Sequence, residues 1–174
     1  MDTIYKSDTK RVFLTFDDGP SPVTSKILDI LKQENVKATF FILGSNVDSR
    51  KDVVKRMYEE GHYLANHGYS HTYSKIYSSP QSVLDEYNEC NDKVKNAIEV
   101  PDYNSHLFRF PGGLAGGKYA EIKKEAKELL LQNNIVNVDW NALTGDAETN
   151  NLSVEFEMTR LTETMESKNS LVIL

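Results

Sequence analysis

Six short runs rich in β-branched, aromatic and aliphatic residues alternate along the chain with five segments whose apolar residues recur at three- and four-residue steps. The runs are Arg11–Phe16, Ala38–Leu43, His62–Asn66, Leu107–Phe110, Ile135–Asp139 and Leu171–Leu174. Between them the helical spacing is carried by Val23, Ile27, Leu28 and Leu31, then by Val53, Val54, Met57 and Tyr58. It continues through Val83, Tyr87, Cys90, Val94 and Ile98, through Ile122, Ala126 and Leu130, and through Val154, Met158, Leu161 and Met165. A period near 3.6 predicts helices, and short apolar runs predict strands buried on both faces. Alternation of the two predicts an α/β fold, a parallel sheet with helices outside it. An open doubly wound sheet and part of a barrel both satisfy the pattern. In either, ligands and chemistry collect at the carboxyl ends of the strands.

No repeat, linker or low-complexity segment divides the 174 residues, so a single domain spanning 1–174 is expected. Composition narrows the function. Asp and Glu number 26 against 20 Lys and Arg, a net charge of −6. Nucleic acid would need a basic face, so the balance argues against it as a partner. The single cysteine, Cys90, allows neither an intramolecular disulfide nor a Cys-rich zinc site. No apolar run reaches the length of a membrane span, and Met1 to Lys10 carries no export signal.

Reactive residues fall where strands end. Asp17 and Asp18 directly follow the first run and precede Gly19-Pro20. Adjacent acids repel unless a cation or a shared proton relieves them, although Asp-Gly-Pro is also ordinary turn chemistry. His67 and His71 follow the third run. On a helical turn, residues four apart share a face, so both imidazoles could reach one metal, with a carboxylate completing the set. Arg109-Phe110-Pro111-Gly112-Gly113 begins at the end of the fourth run and continues past it. Its arginine could fix a carboxylate, and its Gly-rich backbone could offer N–H groups to an oxyanion. His62, His106 and Cys90 read as structural, and Trp140 as packing.

Three segments in this order resemble the first three motifs of the polysaccharide deacetylases, the NodB-homology or carbohydrate esterase 4 family. They are Thr15-Phe16-Asp17-Asp18-Gly19, His67-Gly68-Tyr69-Ser70-His71 and Arg109-Phe110-Pro111-Gly112-Gly113. The resemblance implies a distorted (β/α) barrel. It implies a divalent metal, usually zinc with cobalt or nickel as alternatives, on Asp18, His67 and His71. It makes Asp17 the general base and Arg109 the residue that orients it, and it places Pro111, Gly112 and Asn141 near substrate. The chemistry implied is removal of N-acetyl groups from amino sugars of a polysaccharide, foremost peptidoglycan, at the cell surface or outside the cell. Chitooligosaccharide or acetylated xylan as substrate, and a non-catalytic carbohydrate binder, are the alternatives.

The sequence departs from the family pattern in three places. Gly112 stands where the family usually has an aromatic residue, so one wall of the substrate groove is expected to be open. In Val138-Asp139-Trp140-Asn141 the register puts Asn141 at the family's fourth-motif Asp. Leu171–Leu174 resembles the strand that precedes the family's general-acid histidine. The chain is therefore expected to continue past Leu174 in a parent protein, and the 174-residue protein to bind metal but turn over poorly.

Overall fold

The computed structural model of the protein describes residues 2–147 and 152–174. Contacts cluster into two compact units, Phe16–Asp139 and Met1–Thr15 together with Trp140–Leu174. In chain order the elements are α1 (Asp2–Tyr5), β1 (Arg11–Gly19), α2 (Thr24–Gln33), β2 (Thr39–Ile42), α3 (Gly44–Val47), α4 (Lys51–Glu59) and β3 (Tyr63–Asn66). Then come α5 (Tyr73–Ile76), α6 (Pro80–Ile98), β4 (Leu107–Phe108), α7 (Ala120–Gln132), β5 (Val136–Asn137), α8 (Val154–Met165) and β6 (Ser170–Ile173).

In the larger unit the strands lie in the order β5-β4-β3-β2-β1, so each crossover moves the chain one place along the sheet. β3 pairs in parallel with β2, from Thr39↔Tyr63 to Ile42↔Asn66, and β4 pairs in parallel with β3 and β5. Parallel strands covered on both faces need apolar side chains on both, and Phe40, Phe41, Ile42, Leu64 and Ala65 are buried accordingly. Beside them Tyr77, Val83, Tyr87, Phe108, Phe110, Ala126 and Leu130 form one continuous cluster. The long helix α6 starts cleanly because the Ser79 hydroxyl accepts from the Ser82 N–H at 3.1 Å and Pro80 occupies the first turn.

Gly44 sets how closely α3 approaches α6. A Cβ there would lie 2.8 Å from the Cys90 Cα and 2.7 Å from Tyr69 Cδ2, and a backbone atom cannot move aside. Gly44→Ala is therefore expected to cost roughly 1–3 kcal/mol by overpacking. That loss would lower Tm by about 2–10 °C. An unchanged thermal midpoint would mean that the two helices are free to separate.

In the smaller unit the first half of β1 pairs in parallel with β6, from Arg11↔Ser170 to Leu14↔Ile173. Ala142, Leu171 and Ile173 form its core, with Leu14, Leu161 and Met165 packed against them. Asn141 is built into this unit. Its side-chain amide donates to Ser170 O at 2.9 Å and its carbonyl oxygen accepts from Val172 N at 2.8 Å.

All six expected strands and five expected helices are present. β4 and β5 are narrower than the sequence suggests, two residues each, although ladder bonds run one residue further. Arg109 N donates to Asn66 O and Val138 N to Phe108 O, both at 3.0 Å. Beyond that point side chains and carbonyls turn to hold the site. The four-residue helices α1, α3 and α5 escape the sequence reading because one turn is too short to display a period.

Candidate metal centre

β1 delivers Asp17 and Asp18 at its carboxyl end, and β3 delivers His67 as the first residue after it. Among the described residues, Asp18, His67 and His71 each present a ligand atom within 4.8 Å of the others, a group that could hold a metal ion. Asp18 Oδ1 lies 3.5 Å from His67 Nε2 and 3.4 Å from His71 Nε2. Ligand bonds of about 2.1 Å place neighbouring donors about 3.4 Å apart in a tetrahedral set, so both spacings from Asp18 are compatible with a shared small cation.

The two histidines do not share a helical turn, as their spacing suggests. They are joined by an open loop that bends back on left-handed backbone at Gly68 (φ 84°) and at His71 itself (φ 53°). Asp18 is also left-handed (φ 64°). Two of the three donors thus occupy conformations that non-glycine residues seldom adopt, which is common where a site dictates the backbone.

His67 is prepared for a cation in two ways. Its Nδ1 lies 2.8 Å from Arg109 O, and a carbonyl can only accept. The proton therefore sits on Nδ1 and the Nε2 lone pair faces the other donors, the arrangement typical of metal-bound histidine. Burial also drives the imidazole pKa well below its ordinary value, against the pull of the Asp18 carboxylate. The ring is held neutral, the form that ligates.

Asp17 has the opposite surroundings from exposed Asp18. Its Oδ1 accepts from the Arg109 guanidinium at 2.7 Å, while Oδ2 lies 3.8 Å from His67 Nε2 and so faces the donor group. Burial raises its carboxyl to about 6, with Arg109 opposing and Asp18 and Asp139 adding to the rise. Arg109 itself is fully buried. Its Nε donates to Val138 O at 3.0 Å, a terminal nitrogen donates to Asp139 O at 3.2 Å, and the guanidinium lies 3.9 Å from the Phe41 ring centre.

The loop after Arg109 is tied down on several sides. Pro111 is buried and its carbonyl accepts from Tyr77 Oη at 2.7 Å. Gly113 O accepts from the buried Lys123 ammonium at 2.6 Å, and Leu114 N donates to Asp139 Oδ2 at 3.0 Å. The Gly112 N–H makes no hydrogen bond among the described residues. Asn141, the third expected substrate contact, has its amide committed to β6, as above.

Glu86 on α6 was not foreseen. One of its oxygens accepts from the N–H groups of Tyr69 (2.8 Å) and Ser70 (2.6 Å), and the other from the Ser70 hydroxyl at 2.6 Å. With Gly44 N and Ser45 N donating to Gly68 O and Tyr69 O at 3.0 Å, it clamps the loop between the two histidines. Nothing in its spacing marks it, because its partners lie 16 and 17 residues away. The other histidines are occupied as expected. His62 Nδ1 accepts from Ala38 N at 3.2 Å, and His106 Nδ1 lies 3.0 Å from Asn134 O. Cys90 is buried against Ile42 O.

A parallel α/β fold that gathers two imidazoles and a carboxylate at its strand ends, beside a second carboxylate held by a buried arginine, defines a narrow class of proteins. The chain belongs to the polysaccharide deacetylase family, whose description matches residues 5–132. It is 44% identical over 104 residues to the putative polysaccharide deacetylase YheN of Bacillus subtilis, covering 60% of this chain and 36% of that protein. It is 38% identical over 144 residues to a peptidoglycan-N-acetylglucosamine deacetylase of Bacillus cereus, covering 81% of this chain and 50% of that one. The chain thus spans half or less of these curated relatives.

Solved structures agree. A CE4 esterase of Streptococcus mutans superposes with a TM-score of 0.88 at 33% identity, over 99% of this chain and 77% of that one. The catalytic domain of a peptidoglycan N-acetylglucosamine deacetylase from Eubacterium rectale gives 0.85 at 30% identity, over 99% and 81%. The expected α/β fold of the NodB type is the one observed.

Proposed function

We propose that the protein hydrolyses N-acetyl groups from N-acetylglucosamine residues of a polysaccharide, with peptidoglycan as the favoured polymer and zinc as the metal. The observation that carries this is the division of labour on Asp17. One oxygen is pinned by a buried arginine and the other lies 3.8 Å from His67 Nε2, a candidate ligand. Peptidoglycan is favoured because the Bacillus cereus relative matched over 81% of the chain is named for it, against 52% and 62% for chitooligosaccharide deacetylases of Rhizobium leguminosarum and Bradyrhizobium. A polymer of that kind implies a protein working at the cell surface or outside the cell.

Asp18, His67 and His71 would hold the ion, which supplies Lewis acidity towards the acetamide carbonyl and acidifies nearby water. Asp17 Oδ2 accepts the proton of the attacking water, and Arg109 fixes the carboxylate so that this oxygen and no other is presented. The uncommitted Gly112 N–H remains as a donor for the oxygen that gains charge.

The departing amine must be protonated, and the proton that Asp17 has just taken from water is at hand for it, since a carboxyl raised to about 6 both accepts and returns a proton near neutral pH. Zinc-loaded protein is therefore expected to release acetate from N-acetylglucosamine oligomers. Release should vanish in Asp17→Asn and on chelation. Acetate release that is equal in wild type and Asp17→Asn would refute the assignment of the base.

A further inference from the structure

The opening expected at Gly112 is filled from elsewhere. Gly112 has φ 73°, a backbone that disfavours any side chain, and a Cβ built there would run into the Tyr73 hydroxyl oxygen. The phenol of Tyr73, the first residue of α5, therefore stands over the Gly112 backbone in the volume that a side chain at 112 would need.

Tyr73 differs from its neighbour Tyr77, although the rings meet edge to face at 5.5 Å. Tyr77 is buried and its hydroxyl is satisfied by Pro111 O. Tyr73 is 40% exposed, and its hydroxyl makes no hydrogen bond among the described residues. Its ring centre lies 5.7 Å from that of His71, a candidate ligand, and 6.5 Å from that of Tyr119. A partly exposed tyrosine with an unused polar tip, beside the reacting centre, suits a flat partner with C–H groups on one face and hydroxyls at its rim. A pyranose ring is such a partner.

We propose that Tyr73 is the aromatic wall on which the reacting N-acetylglucosamine ring stacks, supplied by α5 over the bare backbone of Gly112. The proposal rests on the deacetylase reading above. Gly112 leaves room for the phenol, and the phenol orients the sugar so that its acetamide meets the donor group. The wall selects for a hexosamine ring over a small acetamide, which has no face to stack.

The test is calorimetric titration of the zinc-loaded protein with the tetramer of β-1,4-linked N-acetylglucosamine. Wild type, Tyr73→Phe and Tyr73→Ala are compared, with zinc content and Tm measured on each. Tyr73→Ala is expected to weaken binding roughly tenfold, and Tyr73→Phe about two- to threefold, with zinc retained at one per chain. Unchanged affinity in Tyr73→Ala, with wild type binding normally, would overturn the wall and leave the deacetylase reading standing. Loss of zinc from Tyr73→Ala would show that the ring supports His71 and not the sugar. Zinc-loaded wild type that binds no tetramer would overturn the deacetylase reading and the wall with it.

Discussion

Asp18→Ala and His67→Ala are each expected to abolish stoichiometric zinc binding, and the wild-type chain to hold one zinc per molecule. With only three protein donors, losing one removes a third of the protein's hold on the ion. The effect should far exceed the 10–100-fold typical of outer partners. The two variants separate binding from folding. Asp18 is exposed, so its loss leaves no hole, whereas His67 is buried and its loss also frees Arg109 O. Without metal, Asp18→Gly should be as stable as wild type or more so. It relieves both the repulsion with Asp17 and the left-handed backbone at φ 64°, which alanine tolerates less well than aspartate. Zinc at a hundred times its dissociation constant should raise wild-type stability by about 2.7 kcal/mol, and that of Asp18→Ala by nothing. The measurements are metal content by elemental analysis and Tm with and without zinc. Full metal content in both variants would remove the basis for the site.

The strand ends made this site legible. Asp17, Asp18, His67 and Arg109 are each one or two residues from the last apolar residue of a run, and a parallel sheet brings such positions to one edge whatever the intervening sequence. The geometry that joins them was not legible. A His-x-x-x-His pair reads as a helical turn, yet the turn is made by Gly68 and by His71 in a left-handed conformation, and spacing alone carries no sign of φ. Glu86 and Tyr73 were hidden for another reason. Each acts on a segment distant in sequence, Glu86 on the 69–70 loop and Tyr73 on Gly112, so no local pattern records them. Gly112 shows the same limit from the other side. Its missing side chain suggests an open wall, and only the fold shows which residue stands there. Asn141 fitted a motif register, while its side chain serves β6.

Arg109→Ala is expected to be the most damaging single change to stability, at about 4 kcal/mol or more. Breaking a buried ion pair from one side typically costs about 3–5 kcal/mol, because the other charge stays buried without its partner. Here the stranded group is Asp17, only 14% exposed. Two further acceptors, Val138 O and Asp139 O, lose their donors, and the Phe41 ring loses the plane stacked on it. Each unsatisfied carbonyl adds about 1–3 kcal/mol unless water enters. Against a total stability of about 5–15 kcal/mol, a loss on this scale lowers Tm by about 10 °C or more and threatens folding altogether. Arg109→Lys keeps the charge but replaces a planar fork by a point, so it should recover part of the loss and not the two carbonyl bonds. A double-mutant cycle isolates the charge. Arg109→Met combined with Asp17→Asn should be less destabilised than the sum of the two single changes, by about 1–3 kcal/mol, because the second substitution removes the carboxylate that the first leaves stranded. Urea unfolding of the four proteins measures this directly. If the two losses simply add, Arg109 and Asp17 are independent, and the buried guanidinium stabilises the fold through its other partners, the Val138 and Asp139 carbonyls and Phe41 among them.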